Sequence, residues 1–178
     1  MIAFIGITGS GKSTQAEILA KRLGCPVVST GKVLKSSLTG EVAKEVLAGK
    51  VINDKVTIPL LEKELVRLDV SRKEVVLDGS PRSIEQAEWL DRKFKNGEFK
   101  FTAFIHLKAS KEVVQKRLIE RGRDDDNQES IEMRFNEYRN RVEPVLGYLR
   151  NKAYKIHEID GEETIEQDAA AIEKALGI

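Results

Sequence analysis

Gly6-Ile-Thr-Gly-Ser-Gly11-Lys12-Ser13 constrains this chain more than any other stretch. It follows the short apolar run from Ile2 to Ile5 and opens an amphipathic segment marked by Ala16, Leu19, Ala20 and Leu23. Strand, glycine loop and helix, in that order, are the context in which G-x-x-x-x-G-K-[ST] cradles phosphate. The glycines let the backbone turn tightly and aim its N–H groups at phosphate oxygens. The helix beginning near Gly11 adds the positive end of its dipole. Gly9, Ser10, Gly11, Lys12, Ser13 and Thr14 are therefore the candidate ATP-binding residues. Lys12 would reach the β- and γ-phosphates, and the Ser13 hydroxyl would ligate Mg²⁺. The motif marks a binder of a nucleoside triphosphate or something much like it.

Composition narrows the class. At 178 residues the chain is of single-domain size and can bury a full core. Thirty basic residues nearly cancel 29 acidic ones, so no nucleic-acid or membrane partner is expected. The lone Cys25 excludes an intrachain disulfide and any multi-cysteine zinc site. No leader with a basic start and apolar middle precedes the first apolar run, and no apolar run reaches membrane-spanning length. A cytoplasmic location is expected.

Short runs rich in β-branched and aromatic residues predict strands at 2–6, 26–29, 74–78, 101–107 and 154–159. Helical periods fall between them: Ala87, Leu90 and Phe94; Val113, Val114 and Leu118; Ile131, Phe135, Tyr138 and Val142; Ile165, Ala169, Ile172 and Leu176. This alternation predicts an α/β fold with an open parallel sheet and ligands beyond the carboxyl ends of its strands. Residues 30–70 insert about three helical pieces where a crossover usually has one. Pro59 falls inside the helix expected from Asp54 to Leu68 and should kink or delay it. The polar run from Ile119 to Asn127 reads as a mobile cover over the nucleotide.

Further motifs carry a resemblance to the adenylate kinases, within the nucleoside monophosphate kinases, running from Ile2 to the last helix. Ser29-Thr30-Gly31 resembles the family's monophosphate-binding turn, and Ala48-Gly49-Lys50-Val51-Ile52 its base-lining segment. Leu77-Asp78-Gly79-Ser80-Pro81-Arg82, with Gln86 four residues on, resembles the Asp-Gly-aromatic-Pro-Arg signature. Arg117, Arg121, Gly122-Arg123 and Asp125-Asp126-Asn127, then Arg134, resemble the lid and its hinges, in a short-lid form.

The resemblance implies the P-loop NTPase fold: a five-stranded parallel sheet flanked by helices in one domain, residues 1–178. A helical monophosphate-binding insertion would occupy 30–70, and a very short lid 119–128. The implied reaction is reversible, Mg²⁺-dependent transfer between ATP and AMP, giving two ADP. Lys12, Arg82, Arg123 and Arg134 are the implied catalytic residues. Arg82 would hold the acceptor phosphate, while Arg123 and Arg134 would hold the phosphoryl group in flight. Arg121 would contact donor phosphates and Arg117 would stack on the donor base. Guanidinium suits phosphate because its planar fork makes two-point contacts and keeps its charge. Asp78 would hold the water shell of Mg²⁺. Asp125 and Asp126 are expected to position lid arginines, and His106 to be a core histidine. Thr30, Gly31, Lys35, Val51, Ile52, Gly79, Arg82 and Gln86 are the implied AMP-binding residues.

Thr30 and Gln86 resemble the AMP-reading members, since a glutamine amide both donates to and accepts from an adenine edge. UMP or CMP is the alternative acceptor. A P-loop ATPase of the same fold, acting on a protein or RNA-associated partner, is the alternative of another class. Lys32, Lys35 and Ser80 depart from the family's usual aspartate, arginine and aromatic residue. They imply a weaker grip on the monophosphate.

Overall fold

The computed structural model describes residues 1–39, 52–122 and 126–178. Its elements are β1 (Ile2–Ile5), α1 (Lys12–Leu23), β2 (Val27–Ser29), α2 (Thr30–Ser37), α3 (Asp54–Arg67), β3 (Val76–Asp78) and α4 (Ile84–Lys95). They continue with β4 (Ala103–Lys108), α5 (Lys111–Arg121), α6 (Gln128–Glu137), α7 (Glu143–Asn151), β5 (Ile156–Asp160) and α8 (Ile165–Leu176). All the strands pair in parallel, in the order β2-β3-β1-β4-β5. This is the expected five-stranded parallel sheet of a P-loop fold.

The central strands β1, β3 and β4 bury both faces, as strands of a parallel sheet covered by helices must, while the edge strands β2 and β5 are partly open. Ala3, Ile5, Leu77 and Phe104 point to one core, with Leu61 and Leu65 of α3, Leu90 of α4, and Val145 and Leu149 of α7. Ile2, Phe4, Val76, Ile105 and Leu107 point to the other, with Ala16 and Leu19 of α1 and Ile172 of α8. A smaller cluster joins Val114 and Leu118 of α5 to Ile131 and Phe135 of α6, and all of them to Ile7 in the glycine loop. The loop is thereby pinned to the helices that flank the polar run.

The register sets the ends of three strands level. Phe4 lies opposite Asp78, and Ser29 lies opposite Asp78 from the other side. The glycine loop after β1, the Thr30 turn after β2 and the Gly79–Arg82 segment after β3 therefore leave the sheet at one edge. That edge is where open α/β sheets bind ligands.

Two helices differ from expectation. Pro59 neither delays nor ends α3, which starts at Asp54 behind an Asn53 cap and runs to Arg67. Proline at this place withholds one hydrogen bond, to the carbonyl of Lys55, and Lys55 is exposed, so water can replace it. The period from Ile131 to Val142 is also not one α-helix: Tyr138–Val142 forms a π-helical turn between α6 and α7. Pro144 follows in the first turn of α7. Its ring would crowd the carbonyl four residues back, and the widened turn relieves that contact. Of the insertion, α2 and α3 are described. No helix among the described residues is long and apolar enough to cross a membrane.

Candidate active site

The glycine loop closes on itself around Lys12. Gly9 and Gly11 have φ of 94° and 93°, a region that side chains disfavour. A Cβ at Gly9 would also stand 3.0 Å from the side chains of Val114 and Leu118. Lys12 is buried, and its Nζ donates to the Ile7 carbonyl at 3.0 Å. Burial, reinforced by Arg82 and opposed by Asp78, pushes its pKa down to about 8. Ser10 is buried with its Oγ lacking a partner among the described residues, whereas Ser13 and Thr14 are exposed. Arg117 lies alongside, donating to the Gly161 carbonyl at 2.5 Å and the Ser10 carbonyl at 3.5 Å. It therefore borders the loop on the face away from β3.

Ser13 Oγ donates to Asp78 Oδ2 at 2.7 Å. The other carboxylate oxygen of Asp78 is buried without a partner among the described residues. A hydroxyl and an incompletely satisfied carboxylate form an all-oxygen donor set, the kind that Mg²⁺ takes together with waters and phosphates. The residues fit the ion. Among the described residues, no group of three or more His, Cys, Asp or Glu is gathered to hold a metal by protein ligands alone.

The acceptor motifs meet the same edge. Thr30 is buried, and its hydroxyl donates to the Asp78 carbonyl at 3.2 Å. Gly31 and Lys35 follow on α2. Lys35 is exposed and unpaired among the described residues, while Lys32 pairs with Glu17 of α1 at 3.0 Å. Ile52 is buried just before α3. Gly79 has φ of 82°, and a Cβ there would lie 2.8 Å from Arg82 Nη2. Glycine thus lets the Arg82 side chain fold back, its Nε donating to the Gly79 carbonyl at 2.7 Å. Gln86 is nearly fully buried, and both ends of its amide are engaged. Val51 lies outside the described residues.

Arg82 and Arg134 line one cavity with Gly6–Thr8 of the loop. Three predicted features thereby converge: loop, acceptor arginine and lid-side arginine. Asp126 gathers two arginines, accepting from Arg121 Nε and Nη2 at 2.8 and 2.6 Å and from Arg134 Nη1 at 2.8 Å. That agrees with its expected part in positioning arginines. Arg123 and Asp125 lie outside the described residues. His106 is buried in β4, with Nε2 2.6 Å from the Tyr138 hydroxyl. Burial lowers its pKa to about 4, so it is a neutral core histidine near pH 7.

Sequence reasoning missed Glu137 and Arg141, which line the same cavity, and Asp54. Burial raises the pKa of Glu137, and the facing Arg141, Arg82 and Arg134 oppose that rise. Asp54 is buried and pairs with Arg141 at 3.3 Å, so α3 is tied to the π-helical turn. The neighbouring Asp54 carboxylate pushes the pKa of Glu85 up. A signal was present for two of these. Arg134, Glu137 and Arg141 are spaced by three and four, as residues on one helical face are.

The family model for adenylate kinase matches residues 4–154. An adenylate kinase of Corynebacterium urealyticum is 34% identical over 181 aligned residues, covering 98% of each chain. Adenylate kinase 1 of Synechocystis is 35% identical, covering 98% of this chain and 96% of its own. The adenylate kinase of Thermus thermophilus is 32% identical, covering 99% and 97%. With the glycine loop, the Asp78–Arg82 segment and the arginine cavity in one parallel-sheet fold, and likeness over nearly the whole length, the chain belongs to the adenylate kinase family of phosphotransferases.

Proposed function

We propose that the protein transfers the γ-phosphoryl group of ATP to AMP, reversibly and with Mg²⁺, forming two ADP. The observation that carries this reading is the cavity shared by Gly6–Thr8, Arg82 and Arg134. It gives one place where a donor phosphate on the loop and an acceptor phosphate on Arg82 would face each other. The whole chain acts as one domain, with 30–70 receiving the monophosphate and 119–128 covering the donor.

Phosphoryl transfer leaves the protein little covalent work, so its residues align the partners and neutralise charge. An oxygen of the AMP phosphate bonds to the γ-phosphorus as the bond to the β,γ-bridging oxygen breaks, and the leaving group is ADP. The loop amides of Gly9–Thr14 hold the donor phosphates, and Lys12 exchanges the Ile7 carbonyl for phosphate oxygens. Arg82 grips the acceptor, and Arg134, steadied by Asp126, meets the moving group. Arg123 is assigned the same part, Arg121 the donor phosphates and Arg117 the donor base. Thr30, Gly31, Lys35, Val51, Ile52, Gly79 and Gln86 receive AMP. Ser13 and, through water, Asp78 would hold Mg²⁺, which would supply charge neutralisation at the phosphates.

The test mixes ATP and Mg²⁺ with AMP, UMP, CMP or no monophosphate and follows the nucleotides by chromatography. ADP forming at twice the rate of ATP loss, with AMP alone, is expected. Faster transfer to UMP or CMP would move the acceptor assignment. Equal ATP loss in every mixture would replace transfer by hydrolysis.

A further inference from the structure

The Ser80 hydroxyl is fully buried. It donates to Gln86 Oε1 at 2.6 Å, and the backbone N–H of Arg82 donates to the same oxygen at 2.8 Å. On the other side, Gln86 Nε2 donates to Asp54 Oδ1 at 2.6 Å, while Asp54 Oδ2 pairs with Arg141. These partners permit one amide orientation. Flipping it would set –NH₂ against the Arg82 N–H and the amide oxygen against a carboxylate, two repulsive pairs. A carbonyl oxygen has two lone pairs, and Ser80 with Arg82 occupies both. One hydrogen on Nε2 has no partner among the described residues.

We infer that Ser80 is a specificity-determining positioning residue, which makes Gln86 a hydrogen-bond donor only towards the acceptor base. The inference rests on Gln86 facing that base, as proposed above. An unconstrained glutamine matches adenine at two points, donating to a ring nitrogen and accepting from the 6-amino group. With its oxygen filled, Gln86 keeps the first contact and loses the second. A ring nitrogen or a 6-oxo group satisfies a lone donor equally well, so the 6-amino group of AMP is no longer demanded. Ser80 therefore relaxes discrimination between 6-amino and 6-oxo purine monophosphates. Discrimination by hydrogen bonding depends on a site group left unpaired by the wrong ligand, and here Ser80 already pairs it.

The experiment compares kcat/KM for AMP and for IMP, which carries a 6-oxo group in place of the 6-amino group, in wild type, Ser80→Ala and Gln86→Ala. Circular dichroism and Tm check that each variant is folded. Ser80→Ala frees one lone pair of Gln86, and the AMP-to-IMP ratio should rise roughly three- to tenfold, the worth of one net hydrogen bond. A merely structural Ser80 would lower both values together and leave the ratio unchanged. An unchanged ratio in folded Ser80→Ala, with Gln86→Ala still impairing AMP, overturns the role of Ser80 alone. If Gln86→Ala leaves kcat/KM for AMP intact, the base-reading assignment of Gln86 falls as well.

Discussion

The Ser13 hydroxyl donates to Asp78 Oδ2 at 2.7 Å, joining the first turn of α1 to the end of β3. This contact sets a hydroxyl and a carboxylate side by side at the mouth of the loop, with Asp78 Oδ1 still unpartnered among the described residues. Asp78→Ala should preserve the fold, because Thr30 bonds to the Asp78 backbone carbonyl and that atom stays. The Mg²⁺ concentration for half-maximal activity should rise about 10- to 100-fold, the usual effect of losing a group that orients a metal's ligands. A Mg²⁺ titration of activity checks this, and an unchanged midpoint would remove Asp78 from the ion site.

Lys12 predicts a pH dependence. Burial lowers its pKa to about 8, while a bound polyphosphate favours the charged form. ATP binding near pH 8 should therefore take up a proton, and affinity should fall as pH rises above 8. Calorimetry in buffers of different ionisation enthalpy measures the uptake, which Lys12→Met should abolish. For the free protein the sign is opposite. A lowered lysine pKa costs stability fully below pH 8, and the cost disappears as pH rises towards the unfolded value. Lys12→Met should thus stabilise the free protein near pH 7, by up to about 3 kcal/mol, and have little effect near pH 10.5. Turnover should drop about 10²–10³-fold, as when one charge-stabilising donor is lost.

Much of this architecture was legible in the sequence. Runs such as Phe101–Leu107 are too short and too β-branched or aromatic for helices, and Gly9 and Gly11 occupy backbone angles that few other residues tolerate. Arg134, named through the family resemblance by its spacing behind the Asp125-Asp126-Asn127 segment, lies in the cavity with Arg82 and the loop. What escaped were contacts between side chains distant in the chain. Asp54 meets Arg141 across 87 positions, and no local pattern marks a pairing of that kind. Ser80 looked like a loss of aromatic packing, whereas its hydroxyl caps Gln86. Pro59 did not delay α3, and the carbonyl it leaves free belongs to exposed Lys55.

Asp126 accepts from both Arg121 and Arg134, and its side chain is fully enclosed. Asp126→Ala should release both guanidinium groups from their set orientation and leave Arg134 buried with less compensation. A stability loss of about 3–5 kcal/mol is expected from breaking such a pair. At a temperature where the variant is folded, kcat should fall more than KM for ATP or AMP rises, if Arg134 meets the moving phosphoryl group as proposed. Denaturation and steady-state kinetics read the two effects separately. Wild-type kcat in the folded variant would count against the positioning role.

Lys35 stands exposed on α2 without a partner among the described residues. If it meets the acceptor phosphate as a point charge, Lys35→Arg supplies a two-point fork and should lower KM for AMP a few-fold. Lys35→Ala should raise KM for AMP modestly, since the proposed contact of Arg82 with the phosphate would remain, and KM for ATP should stay constant in both. A change confined to ATP would put Lys35 in the donor site.

The proposed reaction passes the γ-phosphoryl group to AMP and not to water. ATP labelled in its γ-phosphate, incubated with Mg²⁺, unlabelled AMP and the protein, tests it most directly. The label should appear in the β-phosphate of ADP, in proportion to the AMP consumed, with little inorganic phosphate. Label released as inorganic phosphate at a rate independent of AMP would contradict it.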